Sequence, residues 1–261
     1  MKFYDKKNKI KKKLSKKQLT FGSWITIPST EIIEILSSAG FEWLVIDLEH
    51  TTISLREVKL LVKVIQANNM SALIRISSNN ETEIKKVLDL GCDGIIIPMI
   101  KNKKEMNKAI NSTLYPPNGT RGVGLSRAQN YGISFDEYNK FYKNNIIVIA
   151  QIEHKESVDN LDEILSCNGL DGIIVGPYDL SASLGFPGDY NNEVVENNLK
   201  IIEKKVKSSS VSLGYHVIES DYKKVLKKVN MGYNLIAFSI DFFFLGDMAR
   251  NQMNLLNHKI K

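Results

Sequence analysis

The segment WLVIDLEH begins as a buried strand and ends with Asp47, Glu49 and His50, so two carboxylates and an imidazole fall within its last four positions. Strand ends meet solvent and tolerate charge, so one such cluster is no proof of chemistry. The pattern repeats, however. Arg75 lies near the end of SALIRIS, NIIVIAQIE ends Gln151, Ile152, Glu153, and GIIV runs into Gly176, Pro177, Tyr178 and Asp179. Side by side, Glu153 and Asp179 would repel and raise each other's pKa; a hard divalent cation removes that penalty. An all-oxygen site suits Mg²⁺ or Mn²⁺ better than zinc, which prefers nitrogen and sulfur. Spacing alone leaves metal binding open. Arg75 carries a permanent charge that could clamp a carboxylate or stabilise an enolate oxygen, or simply form an inter-strand ion pair. His50 is of the type that moves protons near neutral pH, particularly if a carboxylate such as Asp89, in LDLGCDG, orients its ring.

These residues need elements to bring them together. Eight apolar runs of strand length recur: FGSWITI, WLVIDLE, SALIRIS, GIIIPMI, NIIVIAQIE, GIIVGPY, LGYHVI and NLIAFSI. They are rich in Ile and Val and mostly unalternated, as parallel strands covered on both faces are. Amphipathic helical patterns separate most of them. STEIIEILSSAG offers Ser29 or Thr30 as N-cap and Gly40 as a stop, and ETEIKKVLDLG and ESVDNLDEILSCNG repeat the design. Eight β-α units in about 250 residues is the rhythm of a (β/α)₈ barrel, whose active sites lie at the C-terminal ends of the strands. A doubly wound open sheet is the alternative, but no GxGxxG opens a first βα turn. No linker divides the chain, so residues 1–261 read as one α/β barrel domain. The connection from Lys101 to Asn145 contains YPPNGTRGVGLSRAQNYG and reads as a long functional loop carrying Arg121 and Arg127.

Composition excludes several other classes. With 261 residues, 43% hydrophobic and 25% charged, the chain can bury a large core. No apolar run approaches a membrane span, and the basic N-terminus lacks the apolar core of a secretory signal, which together point to the cytoplasm. Residues 1–19 hold nine lysines and one aspartate, so the net charge of +6 is confined to KKNKIKKKLSKK and the rest of the chain carries −2. Ile10 and Leu14, spaced i, i+4, make residues 1–20 a basic helix with one apolar stripe, expected to plug an end of the fold rather than bind nucleic acid or membrane. Cys92 and Cys167 show no CxxC spacing and read as reduced and structural.

WLVIDLEH, the arginine of ALIRIS, VLDLGCDGIIIPMI, YPPNGTRGVG, QIEHKESVDNLDEI and VGPYDLSASLG, in that order from about Phe21 to Gly246, together resemble the HpcH/HpaI aldolase family. The resemblance implies a metal-dependent, class II pyruvate aldolase that reversibly cleaves a 4-hydroxy-2-oxo acid into pyruvate and an aldehyde. It places the metal carboxylates on Glu153 and Asp179, with Mg²⁺ or Mn²⁺ expected and Co²⁺ as an alternative. It assigns the enolate-stabilising arginine to Arg75 and the proton-transfer pair to His50 and Asp89. Asp47 and Glu49 match positions that hold water on the metal, Trp24 and Gln151 match the lining of the pyruvate pocket, and the backbone of Gly176, Pro177 and Tyr178 leads to Asp179 and offers donors to the pyruvate carboxylate.

The resemblance further implies a homo-oligomer, a hexamer built as a trimer of dimers with exchanged C-terminal helices, in which Arg127 could reach an aldehyde site across a subunit boundary. Small molecules are the expected partners. Tyr178 departs from the family pattern, which has a small residue before the metal aspartate. His216, near the end of GYHVIES, is either a second functional histidine or a structural one, while alternation turns His154 away from the ligand side. Lys101 and Lys155 read as exposed helix starts, which disfavours Schiff-base chemistry. The competing readings are an acyl-CoA lyase of the citrate lyase β-subunit type, disfavoured by the intact DLEH and YPPNGTRGVG, and a non-catalytic keto-acid-binding barrel.

Overall fold

The computed structural model describes residues 8–260; residues 1–7, which begin the basic segment, and residue 261 lie outside the described set. Eight parallel strands pair in sequence order and close on themselves: β1 Thr20–Ile25, β2 Trp43–Asp47, β3 Ser71–Arg75, β4 Gly94–Ile97, β5 Ile147–Ile152, β6 Gly172–Val175, β7 Ser212–Val217 and β8 Leu235–Ile240. Helix α1 (Lys9–Ser15) precedes them. Helices α2 (Thr30–Ser38), α3 (Leu55–Ala67) and α4 (Glu81–Asp89) follow the first three strands, and α5 (Lys103–Thr113) and α6 (Phe135–Phe141) lie between β4 and β5. Then come α7 (Lys155–Asp159) and α8 (Leu161–Leu165) after β5, α9 (Pro177–Ser183) and α10 (Glu193–Lys207) after β6, α11 (Tyr222–Asn230) after β7, and α12 (Asp241–Ile260) after β8. The eight expected strands and the (β/α)₈ architecture are those observed.

Closure sorts the apolar residues of each strand by parity, because successive side chains point to opposite faces. Trp43, Val45, Leu73, Ile147, Ile149 and Ile174 fill the barrel interior. Their neighbours Leu44, Ile46, Ile74, Val148, Ala150 and Ile173 face the helices and join the larger outer core. Extending the inward parity to the strand ends gives Asp47, Arg75, Gln151 and Glu153, and beyond β6, Gly176. The polar site is therefore the top rung of the interior column.

Helix α1 closes the opposite end. Asn8 caps it, its side chain accepting from Ile10 N–H at 3.1 Å and Lys11 N–H at 3.2 Å. Ile10 and Leu14 are buried in the interior cluster, as the i, i+4 stripe predicts, each worth about 1.5–3 kcal/mol of burial. Lys11 turns one of the lysines inward in function if not in position: its Nζ donates to Asp171 Oδ2 at 2.7 Å and to the Ile146 carbonyl at 2.6 Å. The basic segment is thus partly a set of ion-pair anchors. Among the described residues, no helix is long and apolar enough to cross a membrane.

The connection from Lys101 to Asn145 differs from the expected long loop. Besides α5 and α6 it holds 3₁₀ turns at Arg127–Gln129 and Tyr142–Asn144, and it packs a buried aromatic cluster of Tyr115, Tyr138 and Tyr142. Arg121 is fully buried against this cluster, 4.7 Å from the Tyr115 ring centre, with Nη1 donating to Tyr138 Oη at 3.1 Å and Nη2 to Asp89 Oδ1 at 2.7 Å. Glycines and proline in YPPNGTRGVG signalled irregular backbone, but the aromatic residues flanking it make that backbone a packed unit.

Candidate active site

At the ends of β2 and β3 the register pairs Asp47 with Arg75, two inward positions side by side. Asp47 is buried and accepts from Arg75 Nε at 2.8 Å and Nη2 at 2.7 Å, the two-pronged geometry that only a guanidinium provides. Its Oδ1 also accepts from Glu49 N–H at 3.0 Å, which turns the chain after β2. The third guanidinium nitrogen, Nη1, lies 3.1 Å from Glu49 Oε2. Asp47 and Glu49 were expected to hold water on a metal; the structure shows both carboxylates in contact with Arg75.

Glu153 continues the inward parity one residue pair beyond Ile149 and Gln151. It is 2% exposed, and its carboxylate is held on both sides: Oε1 accepts from Met99 N–H at 2.6 Å and Oε2 from Gln151 Nε2 at 2.5 Å. Burial pushes the acid up to about 7, Glu49 and Asp179 push in the same direction, and the two hydrogen bonds oppose them. Glu49 is raised as well, by burial first, against the opposing pull of Arg75. Gly176 is the residue that admits Glu153: a Cβ there would sit 2.8 Å from Glu153 Oε2. Met99, whose φ of 53° presents its N–H to Glu153, was not singled out in the sequence, and the backbone role of a Met in IIIPMI leaves no compositional signal.

Asp179 stands in the first turn of α9, where Pro177 occupies a position that needs no N–H. The expected row of backbone donors is shorter than the sequence suggested. Gly176 N–H is bonded to the Ile152 carbonyl at 3.1 Å and Pro177 has none, which leaves Tyr178 and Asp179, both ahead of the first intrahelical bond.

Trp24 ends the inward column of β1. Arg75 Cζ lies 5.3 Å from its ring centre, and the His216 ring stacks on it at 4.4 Å with an interplanar angle of 14°. His216 Nε2 donates to the Ser239 carbonyl at 3.2 Å, and burial pushes the ring's pKa down to about 4, so it is a neutral support for Trp24. His154 caps α7, its Nδ1 accepting from Glu156 N–H at 3.2 Å. Lys155 is exposed and Lys101 lies 3.8 Å from Glu156 Oε1, so neither is a desolvated amine in the pocket.

Of His50, Asp89 and Arg127, only the first is at the strand ends. His50 is at the site, largely exposed, with Nε2 3.9 Å from Glu49 Oε2. Asp89 ends α4, which leads back to the start of β4, so it lies at the N-terminal end of the barrel and is held there by Arg121. It does not orient His50 within one chain. Arg127 lies at the same lower end, donating to the Leu90 carbonyl at 2.9 Å and to Gln66 Oε1 at 2.7 Å. Sequence order concealed this because helices run back along the barrel, so a residue before a strand and one after a strand belong to opposite faces.

No group of three or more His, Cys, Asp or Glu among the described residues is arranged to hold a metal by itself. The donor set nonetheless fits a hard cation. Glu153 and Asp179 supply two carboxylates, Gln151 Oε1 is buried without a hydrogen-bond partner, Glu49 faces the same cluster with Arg75 Nη1 at 3.1 Å as its nearest described cation, and Mg²⁺-type ions commonly take one or two carboxylates with water and substrate completing the shell. Trp24 Nε1 is likewise buried and unpartnered.

The sequence profile described as HpcH/HpaI aldolase/citrate lyase matches residues 20–244. The hydroxypyruvate/pyruvate aldolase of Roseobacter denitrificans is 31% identical over 91% of this chain and 93% of its own length. The 2-keto-3-deoxy-L-rhamnonate aldolase of Escherichia coli strain K12 is 29% identical over 92% of this chain and 90% of its own. The crystal structure of an HpcH/HpaI aldolase/citrate lyase family protein from Burkholderia cenocepacia superposes with a TM-score of 0.91 at 29% identity, covering 96% of this chain and 99% of that one.

Proposed function

The chain belongs to the HpcH/HpaI aldolase/citrate lyase family and is a carbon–carbon lyase of the aldolase type, and on that premise we propose the residues that perform its reaction, the reversible cleavage of a 4-hydroxy-2-oxo acid into pyruvate and an aldehyde. The observation that carries the assignment is Glu153, a buried acid pushed up to about 7 between two further carboxylates, a costly arrangement that a bound dication relieves. Glu153 and Asp179 would hold the metal, Mg²⁺ or Mn²⁺, which when bound supplies Lewis acidity at the keto oxygen of pyruvate.

Arg75 is oriented by Asp47 so that Nη1 faces the carboxylate cluster, where it stabilises negative charge as that charge develops on the same oxygen. Trp24 and Gln151 line the pyruvate, and the N–H groups of Tyr178 and Asp179 face its carboxylate. His50, at the open mouth, takes the proton of the C4 hydroxyl as the C3–C4 bond breaks and returns it in the synthetic direction. A homo-oligomer completes the assembly. Its support is α12, whose start is pinned by Asp241 accepting from Thr26 and Ile27 N–H at 2.8 Å each, and whose Leu245, Met248, Leu255 and Leu256 are exposed.

The test is exchange of the C3 protons of pyruvate for deuterium, followed by NMR without any aldehyde. Metal-dependent exchange is expected; its absence in metal-loaded protein would reduce the barrel to a binding protein.

A further inference from the structure

Trp24, Arg75 and Gln151, which line the pyruvate in the reading above, are buried, whereas the first turn of α9, which carries Asp179, has an exposed residue. Tyr178 is there, one residue before Asp179 and 56% exposed. Its position is fixed from behind. Ser181 Oγ donates to the Tyr178 carbonyl at 2.7 Å and accepts Gly188 N–H at 2.9 Å, folding the segment after α9 back against the ring. Gly188 has φ of 75°, and a Cβ there would be 3.5 Å from Tyr178 Cε2, so this backbone limits where the ring can move. The same turn carries Tyr190, 38% exposed, whose N–H donates to the Gly188 carbonyl at 3.2 Å, so both tyrosines flank Gly188; burial first, then Glu219, Tyr178 and Asp179, raise its phenol.

The charges at this end of the barrel are one-sided. Of the acids at the strand ends, Asp47 is answered by Arg75, and Glu219 by Lys224 at 2.5 Å, leaving Glu49, Glu153 and Asp179 in excess. A dication offsets two of these, and the carboxylate of pyruvate restores the deficit. Of the cations described at these strand ends, Arg75 is shared by Asp47 and Glu49, Lys224 is paired with Glu219, and His50 follows β2, whereas the tyrosines follow β6.

We propose that Tyr178 and Tyr190 form an aromatic rim that receives the aldehyde, and that the enzyme selects uncharged aldehydes with an apolar or C–H-rich face over aldehydes bearing a carboxylate. Ring faces favour C–H contact and provide no counter-charge, while the excess carboxylates repel a second anion. The inference rests on the aldolase reading and adds the class of its second substrate.

Butanal and succinic semialdehyde, which have equal carbon number and differ by a carboxylate, are the probes. Initial rates of addition to pyruvate by metal-loaded protein should give a kcat/KM for butanal at least about tenfold above that for succinic semialdehyde. Tyr178→Ala should lower the butanal value by roughly tenfold, mainly through KM, and Tyr178→Phe should retain it, because the ring face and not the hydroxyl makes the contact. Equal or better use of succinic semialdehyde, or a ratio unmoved by both Tyr178→Ala and Tyr190→Ala, overturns the rim while pyruvate exchange by the wild type keeps the aldolase reading in place. Absence of that exchange removes both.

Discussion

Asp47 and Arg75 face each other across the register of β2 and β3 and are joined by two charge-assisted hydrogen bonds of 2.8 and 2.7 Å inside the top of the barrel. The pair turns a mobile guanidinium into a fixed one, because each prong removes a torsional freedom that a lysine would keep. Arg75→Lys should therefore lower kcat by about 10²–10³-fold, the usual cost of losing one oriented donor to a developing oxyanion. Metal binding, measured by equilibrium titration with Mn²⁺, should persist. An unchanged kcat would remove Arg75 from the enolate role.

Chelation separates metal chemistry from Schiff-base chemistry. EDTA should abolish cleavage, Mg²⁺ or Mn²⁺ should restore it, and borohydride with pyruvate should leave the protein mass unchanged, since Lys101 and Lys155 are both outside the pocket. Glu153→Gln should lose the ion yet fold, because it removes one member of a cluster of like charges. A trapped pyruvyl adduct would contradict the assignment.

Asp89 should behave as a stability residue. Arg121 is fully buried and Asp89 is its carboxylate partner, so Asp89→Ala should cost about 2–4 kcal/mol in urea unfolding, the lower end reflecting the partial exposure of Asp89. Loss of activity without loss of stability would place Asp89 against the site of another copy instead.

His216 gives a pH signature. Its value in the folded protein, about 4, lies below the ordinary 6.5, so the fold resists its protonation. The stability tied to its neutral form is fully present above about pH 6.5 and is lost as pH falls toward 4, by about 3 kcal/mol for this one group. In His216→Phe, which keeps a ring on Trp24, the unfolding free energy should fall less steeply over that window. Identical slopes would show that His216 gains its proton as readily in the fold as in the unfolded chain.

The exposed apolar residues of α12 predict association. Light scattering at micromolar concentration should report a mass that is a multiple of the single chain, and removal of residues 245–261 should reduce it. A monomer in both cases would leave α12 without the partner proposed for it.

The sequence by itself determined the strands and which polar residues stand at their ends. Runs such as WLVID and NIIVIAQI are too apolar and β-branched to lie anywhere but in a covered parallel sheet, and polar residues can follow such runs only where the strands end. Asp47, Glu49, Arg75, Gln151 and Glu153 were legible for that reason. The stripe of Ile10 and Leu14 was legible because helical spacing alone makes a face. What the tertiary structure decided is which face and which end. The strands are apolar on both sides, so no alternation marks Trp43, Val45 and Asp47 as inward; closure of the barrel does that. Nor can a linear sequence separate Asp89 and Arg127 from His50, since the return of each helix along the barrel, fixed only by packing, carries residues that precede a strand some whole strand's length away from those that follow one.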